Sequence, residues 1–165
     1  MSTPERTPDG HHIVIGGRRW RASDPGIPEK LRVELVAELM AARRLVRTDP
    51  ESARPRVQDA KTALGERGSP WWEDPDDPAQ RERLAATMRT LLRHRNGSSI
   101  CPSDAARVVG GDGWRDLMAT AREVAAGLAG SELVVVTQRG ETVDAATARG
   151  AVRIAPGPRL GIRPE

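Results

Sequence analysis

The chain contains neither phenylalanine nor tyrosine in its 165 residues, so four tryptophans supply all the aromatic bulk. Its core must therefore come from Leu, Val, Ile, Ala and Met. Cysteine is almost as scarce. Cys101 stands alone, which excludes an intramolecular disulfide and fits a reducing cytoplasm. Lysine occurs only at Lys30 and Lys61, and the other basic side chains of a total of 26 are arginine. The three histidines include the adjacent pair His11-His12 and match no zinc-ligand spacing, with either His94 or Cys101 as a further ligand. No apolar run approaches the ~18–20 residues needed to span a bilayer. Met1–His12 lacks the apolar stretch of a signal peptide. The expectation is a cytoplasmic protein with no membrane span, no metal and no cofactor.

What is present allows a folded core of modest size, with 38% hydrophobic and 30% charged residues. The length suits one domain or two small ones. The net charge of +3 falls entirely after residue 81, before which acids and bases balance. That surplus is far below the basic loading of a strong DNA binder. An arginine excess beside abundant alanine and glycine is also what a GC-rich genome produces, so basicity alone assigns no partner.

Met1–His12 is polar, with Pro4, Pro8 and Gly10, and reads as a flexible tail. Ile13–Ile15 and Arg18–Arg21 flank Gly16-Gly17, a hairpin signal because both turn residues need positive φ. A lone hairpin is marginal in water, so Trp20 is expected to pack on the helix that follows. Leu31, Leu35, Leu39, Ala42 and Val46 recur at helical spacing, and Val33, Val36 and Met40 widen the stripe. Asp49-Pro50 interrupts. Pro55 moves the firm start of a second helix to about residue 55, with Val57, Ala60 and Leu64 as its stripe. Residues 13–72 thus form a β-hairpin and helical-pair module. The acidic, proline-rich segment 73–77 reads as a linker, with Asp77 capping a helix that has Pro78 at its first position.

Three helices are then expected at Pro78–Arg95, Pro102–Val109 and Trp114–Ala129, followed by a ribbon of Leu133–Gln138 and Ala151–Ala155. Asp144–Gly150 reads as one short helical turn inside that ribbon. This order is that of a winged helix-turn-helix, assigned to 78–156, and 157–165 reads as a second flexible tail. The fold class is α+β.

Three blocks carry a resemblance. They are Ile100-Cys101-Pro102-Ser103-Asp104-Ala105-Ala106-Arg107, Gly113-Trp114-Arg115-Asp116-Leu117-Met118 and Val136-Thr137-Gln138-Arg139-Gly140. Over Arg81–Pro156 they resemble an uncharacterised bacterial family of unknown function whose members resemble winged helices. The first half, with Gly17-Arg18-Arg19-Trp20-Arg21 and Ala63-Leu64-Gly65-Glu66-Arg67-Gly68, resembles a short bacterial module sometimes labelled as related to a Tol biopolymer transporter. The resemblance implies a fold and no activity, and it transfers no site residues.

Several constellations remain as candidates. The outer face of the third C-terminal helix presents Arg115 and Arg122, which suit guanine or phosphate. Asp116 and Glu123 beside them would repel phosphate, and the alternative is an ordinary mixed-charge surface. Gln138, Arg139 and Arg149 lie at the turns of the ribbon, where they would meet the DNA backbone or serve only as hairpin residues. Arg18, Arg19 and Arg21 beside Trp20 form a ribbon able to hold nucleic acid by charge and stacking, or else Trp20 is buried and the arginines are solvated. Trp71 and Trp72 either pin the modules together or offer a binding platform. Cys101, at a helix N-terminus near His94 and Asp104, is conceivable as a nucleophile, though a small cysteine packed between helices accounts for it as well. The functional expectation is a non-enzymatic DNA-binding protein of modest affinity. A protein–protein adaptor is the alternative, and a thiol-dependent enzyme at Cys101 is a remote one. Oligomeric state stays open.

Overall fold

The structure is a computed structural model and describes residues 3–161. Among them Glu5–Arg6 (β1), His12–Ile15 (β2) and Arg18–Arg21 (β3) form an antiparallel sheet in that order. Helices Glu29–Leu45 (α1) and Pro50–Ala63 (α2) follow, then Asp77–Arg95 (α3), Pro102–Gly110 (α4) and Met118–Gly130 (α5). A 3-10 helix, Gly111–Leu117, joins α4 to α5. Strands Val134–Gln138 (β4), Glu141–Thr142 (β5) and Arg153–Pro156 (β6) form a second antiparallel sheet, ordered β5-β4-β6. The fold is a mixed α+β arrangement with two small sheets.

The N-terminal hairpin turns on Gly16 (φ 57°) and Gly17 (φ 77°), the conformation that Gly-Gly supplies without steric cost. The segment expected to be a tail departs from expectation. Glu5 and Arg6 pair with Val14 and Ile13, and the Thr7 amide donates to the His12 carbonyl at 2.9 Å to close the return. Met1 and Ser2 lie outside the described residues.

Other boundaries also differ from the sequence reading. Helix α2 starts at Pro50, with the Asp49 carboxylate accepting from the Ser52 amide (3.3 Å), and Pro55 lies inside it. A proline early in a helix removes one hydrogen bond without ending the helix when neighbouring packing holds the turn. Asp76, not Asp77, caps α3, accepting from the Ala79 amide at 2.8 Å. The residues expected to open a long helix at Trp114 belong instead to the 3-10 segment. There the Leu117 side chain comes so close to Gly110 that a Cβ would meet it at 2.9 Å. Beyond β6, residues expected to be a tail fold back, with the Gly157 and Arg159 amides donating to the Leu133 and Glu132 carbonyls (3.0 Å each) and Leu160 buried. Ile162–Glu165, the rest of that expected tail, lie outside the described residues.

A single apolar cluster runs through the molecule. Ile27, Leu31, Leu35 and Leu39 of the first half meet Leu84, Met88, Leu91 and Leu92 of α3, and the cluster continues through Ile100, Val108, Ala125, Val136 and Ile154. Helix α3 is its spine, and four of its arginines lock it to carboxylates of the first half. Arg83 pairs with Asp24 (3.0 Å), and Arg89 and Arg93 both bind Asp59 (2.9 and 2.6 Å). Arg95 holds Glu34 in a two-pronged contact at 2.8 and 3.1 Å. That fork draws the Glu34 pKa below the usual glutamate value.

The C-terminal topology has one further connection. Between α3 and α4, Ile100 exchanges two backbone hydrogen bonds of 2.8 Å with Ile154 of β6. The segment linking the first two of three helices thereby edges the returning ribbon.

Candidate nucleic-acid interface

Four of the sequence-derived candidates converge at one end of the β4–β6 ribbon. Strand β4 reverses into β5 through Arg139 (φ 52°) and Gly140 (φ 81°), the pair of positive φ values that a tight hairpin demands. The chain then makes a single turn over Asp144–Ala148, where the Ala148 amide donates to the Asp144 carbonyl at 2.8 Å. Arg122, reaching from α5, fixes this turn. Its guanidinium donates to the carbonyls of Ala145 (3.1 Å), Gly150 (2.8 Å) and Ala148. Gln138 holds the far side, donating to the carbonyls of Arg149 (2.5 Å) and Ala151 (3.2 Å). Arg122 and Gln138 therefore hold the loop's shape, and their donors face inward.

Arg139 and Arg149 are different. Both are exposed, and neither has an ion pair or side-chain hydrogen bond among the described residues. They stand as free guanidinium groups on a turn whose backbone is pinned.

Arg115 is not on α5. It lies in the 3-10 segment with its guanidinium 4.5 Å from the centre of the Trp114 ring, and Arg107 of α4 lies 4.6 Å from the same ring. Two exposed arginines thus share one indole. No hydrogen bond, ion pair or ring contact among the described residues links Arg115 to the ribbon end. Arg107 carries no local signature of this role, because its partnership with Trp114 depends on the 3-10 turn that brings them together.

The outward face of α5 offers little to a base edge. It exposes Ala119, Glu123, Gly127 and Gly130, and Glu123 is paired with Arg81 at 2.7 Å. Of the two arginines expected on the outer face of this helix, Arg115 lies in the 3-10 segment before it and Arg122 is engaged with loop carbonyls.

Trp20 does not pack beneath the following helix. Its side chain remains 42% exposed, with Arg18 4.4 Å and Lys61 5.9 Å from its ring centre. Trp71 and Trp72 fasten the N-terminal sheet to the loop after α2. The Trp71 indole donates to the Ala22 carbonyl at 2.9 Å, and His11 stacks on Trp72 with centroids 4.0 Å apart. Arg21 completes the seam by donating to the Gly68 carbonyl at 2.8 Å. His12 is an acceptor for Arg19 at 3.4 Å. The two adjacent histidines thus serve packing in this structure.

Cys101 precedes α4, its amide donating to Asp104 at 3.0 Å. The Arg153 guanidinium donates to its Sγ at 2.9 Å and holds the Ser99 hydroxyl and carbonyl at 2.9 Å each. His94 is exposed near the end of α3, and no contact among the described residues joins it to Cys101. Arg153 belongs to β6, so the contact with Cys101 depends on the Ile100–Ile154 pairing and has no local sequence signature.

Residues 81–156 match the family described as "Protein of unknown function (DUF3253)". That span runs from the second turn of α3 to the end of β6 and includes the ribbon end, the Trp114 ledge and Cys101. No curated protein matches the chain. No helix among the described residues is long and apolar enough to cross a membrane.

Proposed function

We propose that the C-terminal module is a winged helix and that the protein binds double-stranded DNA, without catalysis, through phosphate contacts made by the wing. The observation that carries this reading is the pinned turn with free cations. Arg139 and Arg149 project from a loop held by Arg122 and Gln138 and are exposed without carboxylate partners among the described residues. The order α3, Ile100, α4, α5, β4, β6, with Ile100 pairing to β6, supports the winged-helix assignment. Rigid presentation lowers the ordering cost of each phosphate contact. Arg107 and Arg115 on Trp114 add a second pair of free cations.

The face of α5 argues for weak sequence preference, because alanines, glycines and a paired glutamate offer base edges no bidentate partner. Affinity then follows backbone charge and falls with salt. Two to four phosphate contacts give a slope of log affinity against log salt of roughly −2 to −4. Binding of the full chain to a mixed-sequence duplex, measured by anisotropy across a salt series, tests this reading. An Arg139→Ala/Arg149→Ala variant should bind more weakly with a shallower slope. Wild-type affinity in that variant would refute it.

The adaptor reading has one observation in its favour. Helix α1 exposes Val33 and Met40 on the side away from its buried leucines, and Val46, just past the helix end, is exposed as well. Charge complementarity at the wing speaks more specifically than this apolar stripe, so DNA binding is placed first.

A further inference from the structure

We propose that the N-terminal sheet carries a separate site for single-stranded nucleic acid, in which a base stacks on Trp20 and the flanking phosphates are held by Arg18, Lys61 and Arg43.

An indole left 42% exposed on a short strand is a position that water disfavours. Nothing about the sheet is loose enough to explain the exposure. Trp20 is paired across the strands with Ile13, and the sheet is clamped to the body by the seam of Trp71, Trp72 and His11. The ring is therefore held outward on a fixed platform. Ile15, 54% exposed and paired with Arg18, extends the same sheet face.

The charge around the indole has one sign. Arg18 and Lys61 flank the ring. Partial burial, reinforced by the nearby charges of Arg67 and of Arg43 on α1, draws the Lys61 pKa below the ordinary lysine value. The carboxylate set among them is Glu66, which is a poor counter-ion. Burial raises its pKa, and its Oε2 is buried with no hydrogen-bond partner. Arg18, Arg43 and Lys61 have no ion pair among the described residues. Cations from β3 and α2 beside an exposed aromatic ring, with Arg43 of α1 close to Lys61, form the complement of a polyanion that carries flat rings. Single strands meet that description because their bases are free to stack, whereas duplex bases are already stacked on one another. An entering base displaces the Arg18 guanidinium from the indole, and that guanidinium then turns to phosphate.

This site is independent of the wing, and the two can be tested separately. The full chain is titrated into a labelled oligothymidylate of about ten nucleotides and, in parallel, into a labelled duplex. Single-strand binding should quench tryptophan emission. Trp20→Ala should weaken it by roughly tenfold or more, and Trp20→Phe should retain most of it. Arg43→Ala/Lys61→Ala should reduce the salt slope by roughly one to two. Arg139→Ala/Arg149→Ala should leave single-strand binding unchanged while weakening duplex binding. Because Trp20 is exposed, its variants should melt at the wild-type temperature. Should Trp20→Ala prove unstable, the Arg43→Ala/Lys61→Ala pair decides alone. Equal single-strand affinity in wild type and in either the Trp20→Ala or the Arg43→Ala/Lys61→Ala variant overturns the proposal. So does failure of the wild type to bind the oligomer, or stronger binding to polyglutamate or anionic lipid vesicles.

Discussion

At the residue scale the arginines divide into two populations. Arg83, Arg89, Arg93 and Arg95 are engaged with carboxylates inside the fold, and Arg122 with carbonyls. Arg139, Arg149, Arg107 and Arg115 are exposed and have no such partner among the described residues. Composition could not separate them, since an ion pair such as Arg95–Glu34 joins positions 61 residues apart. Arg122 illustrates the consequence, because helical spacing puts it on an outer face while the folded ribbon captures its guanidinium. Arg122→Ala should cost roughly 1–3 kcal/mol, from three carbonyls losing their donor. It should also speed amide exchange across 144–150 and weaken duplex binding indirectly. Arg122→Lys should not restore either property, because an ammonium lacks the planar fork. Unchanged exchange in Arg122→Ala would show that the loop holds itself.

Glu66 supports a prediction about pH. Burial holds its folded pKa above the unfolded value, so protonation favours the fold. The stability this contributes is complete below the usual glutamate range and is lost as pH rises through the raised value. Above that raised value the buried charge is a liability. Glu66→Gln should therefore raise the melting temperature at neutral pH and leave it unchanged in acid below the glutamate range. A loss of stability at neutral pH would mean that Lys61, Arg43 and Arg67 depend on the charge.

At the scale of elements, α3 is where the two halves are joined. Asp59 of α2 accepts from both Arg89 and Arg93, and all three side chains are largely shielded from water. Removing one partner of a buried pair strands the other, so Asp59→Asn should cost roughly 3–5 kcal/mol, read as a shift in the urea midpoint. A change below roughly 1 kcal/mol would mean that solvent screens the pair as it does at a surface. Elements whose apolar residues repeat over several turns were legible in the sequence, as with Leu31, Leu35 and Leu39 or Leu84, Met88 and Leu91. The 3-10 segment was not. Trp114 and Leu117 are three apart, a spacing that fits a 3-10 turn as well as the start of an α-helix. Strand β1 escaped notice because two exposed residues, Glu5 and Arg6, carry no alternation. Their pairing comes from the return at Thr7–His12.

At the scale of the whole molecule, the continuous cluster from Ile27 to Leu160 makes the two halves one folding unit. Unfolding should be a single transition, with fluorescence and circular dichroism coincident. A fragment covering 78–161 would expose Leu84 and Leu91 and leave Arg83, Arg89 and Arg95 without Asp24, Asp59 and Glu34. It should fail to fold alone. Two separate transitions in the full chain would contradict the shared core. The mixed α+β order of helices and strands could be anticipated from element spacing, but the placement of free charge could not. It depends on which arginines the tertiary structure consumes.

Duplex binding at the ribbon end is read by titrating the full chain and Arg139→Ala/Arg149→Ala into a labelled mixed-sequence duplex over a salt series. Affinity should fall steeply with salt in the wild type and show a weaker, shallower dependence in the variant. No wild-type binding at low salt, or identical curves for the two proteins, would contradict it.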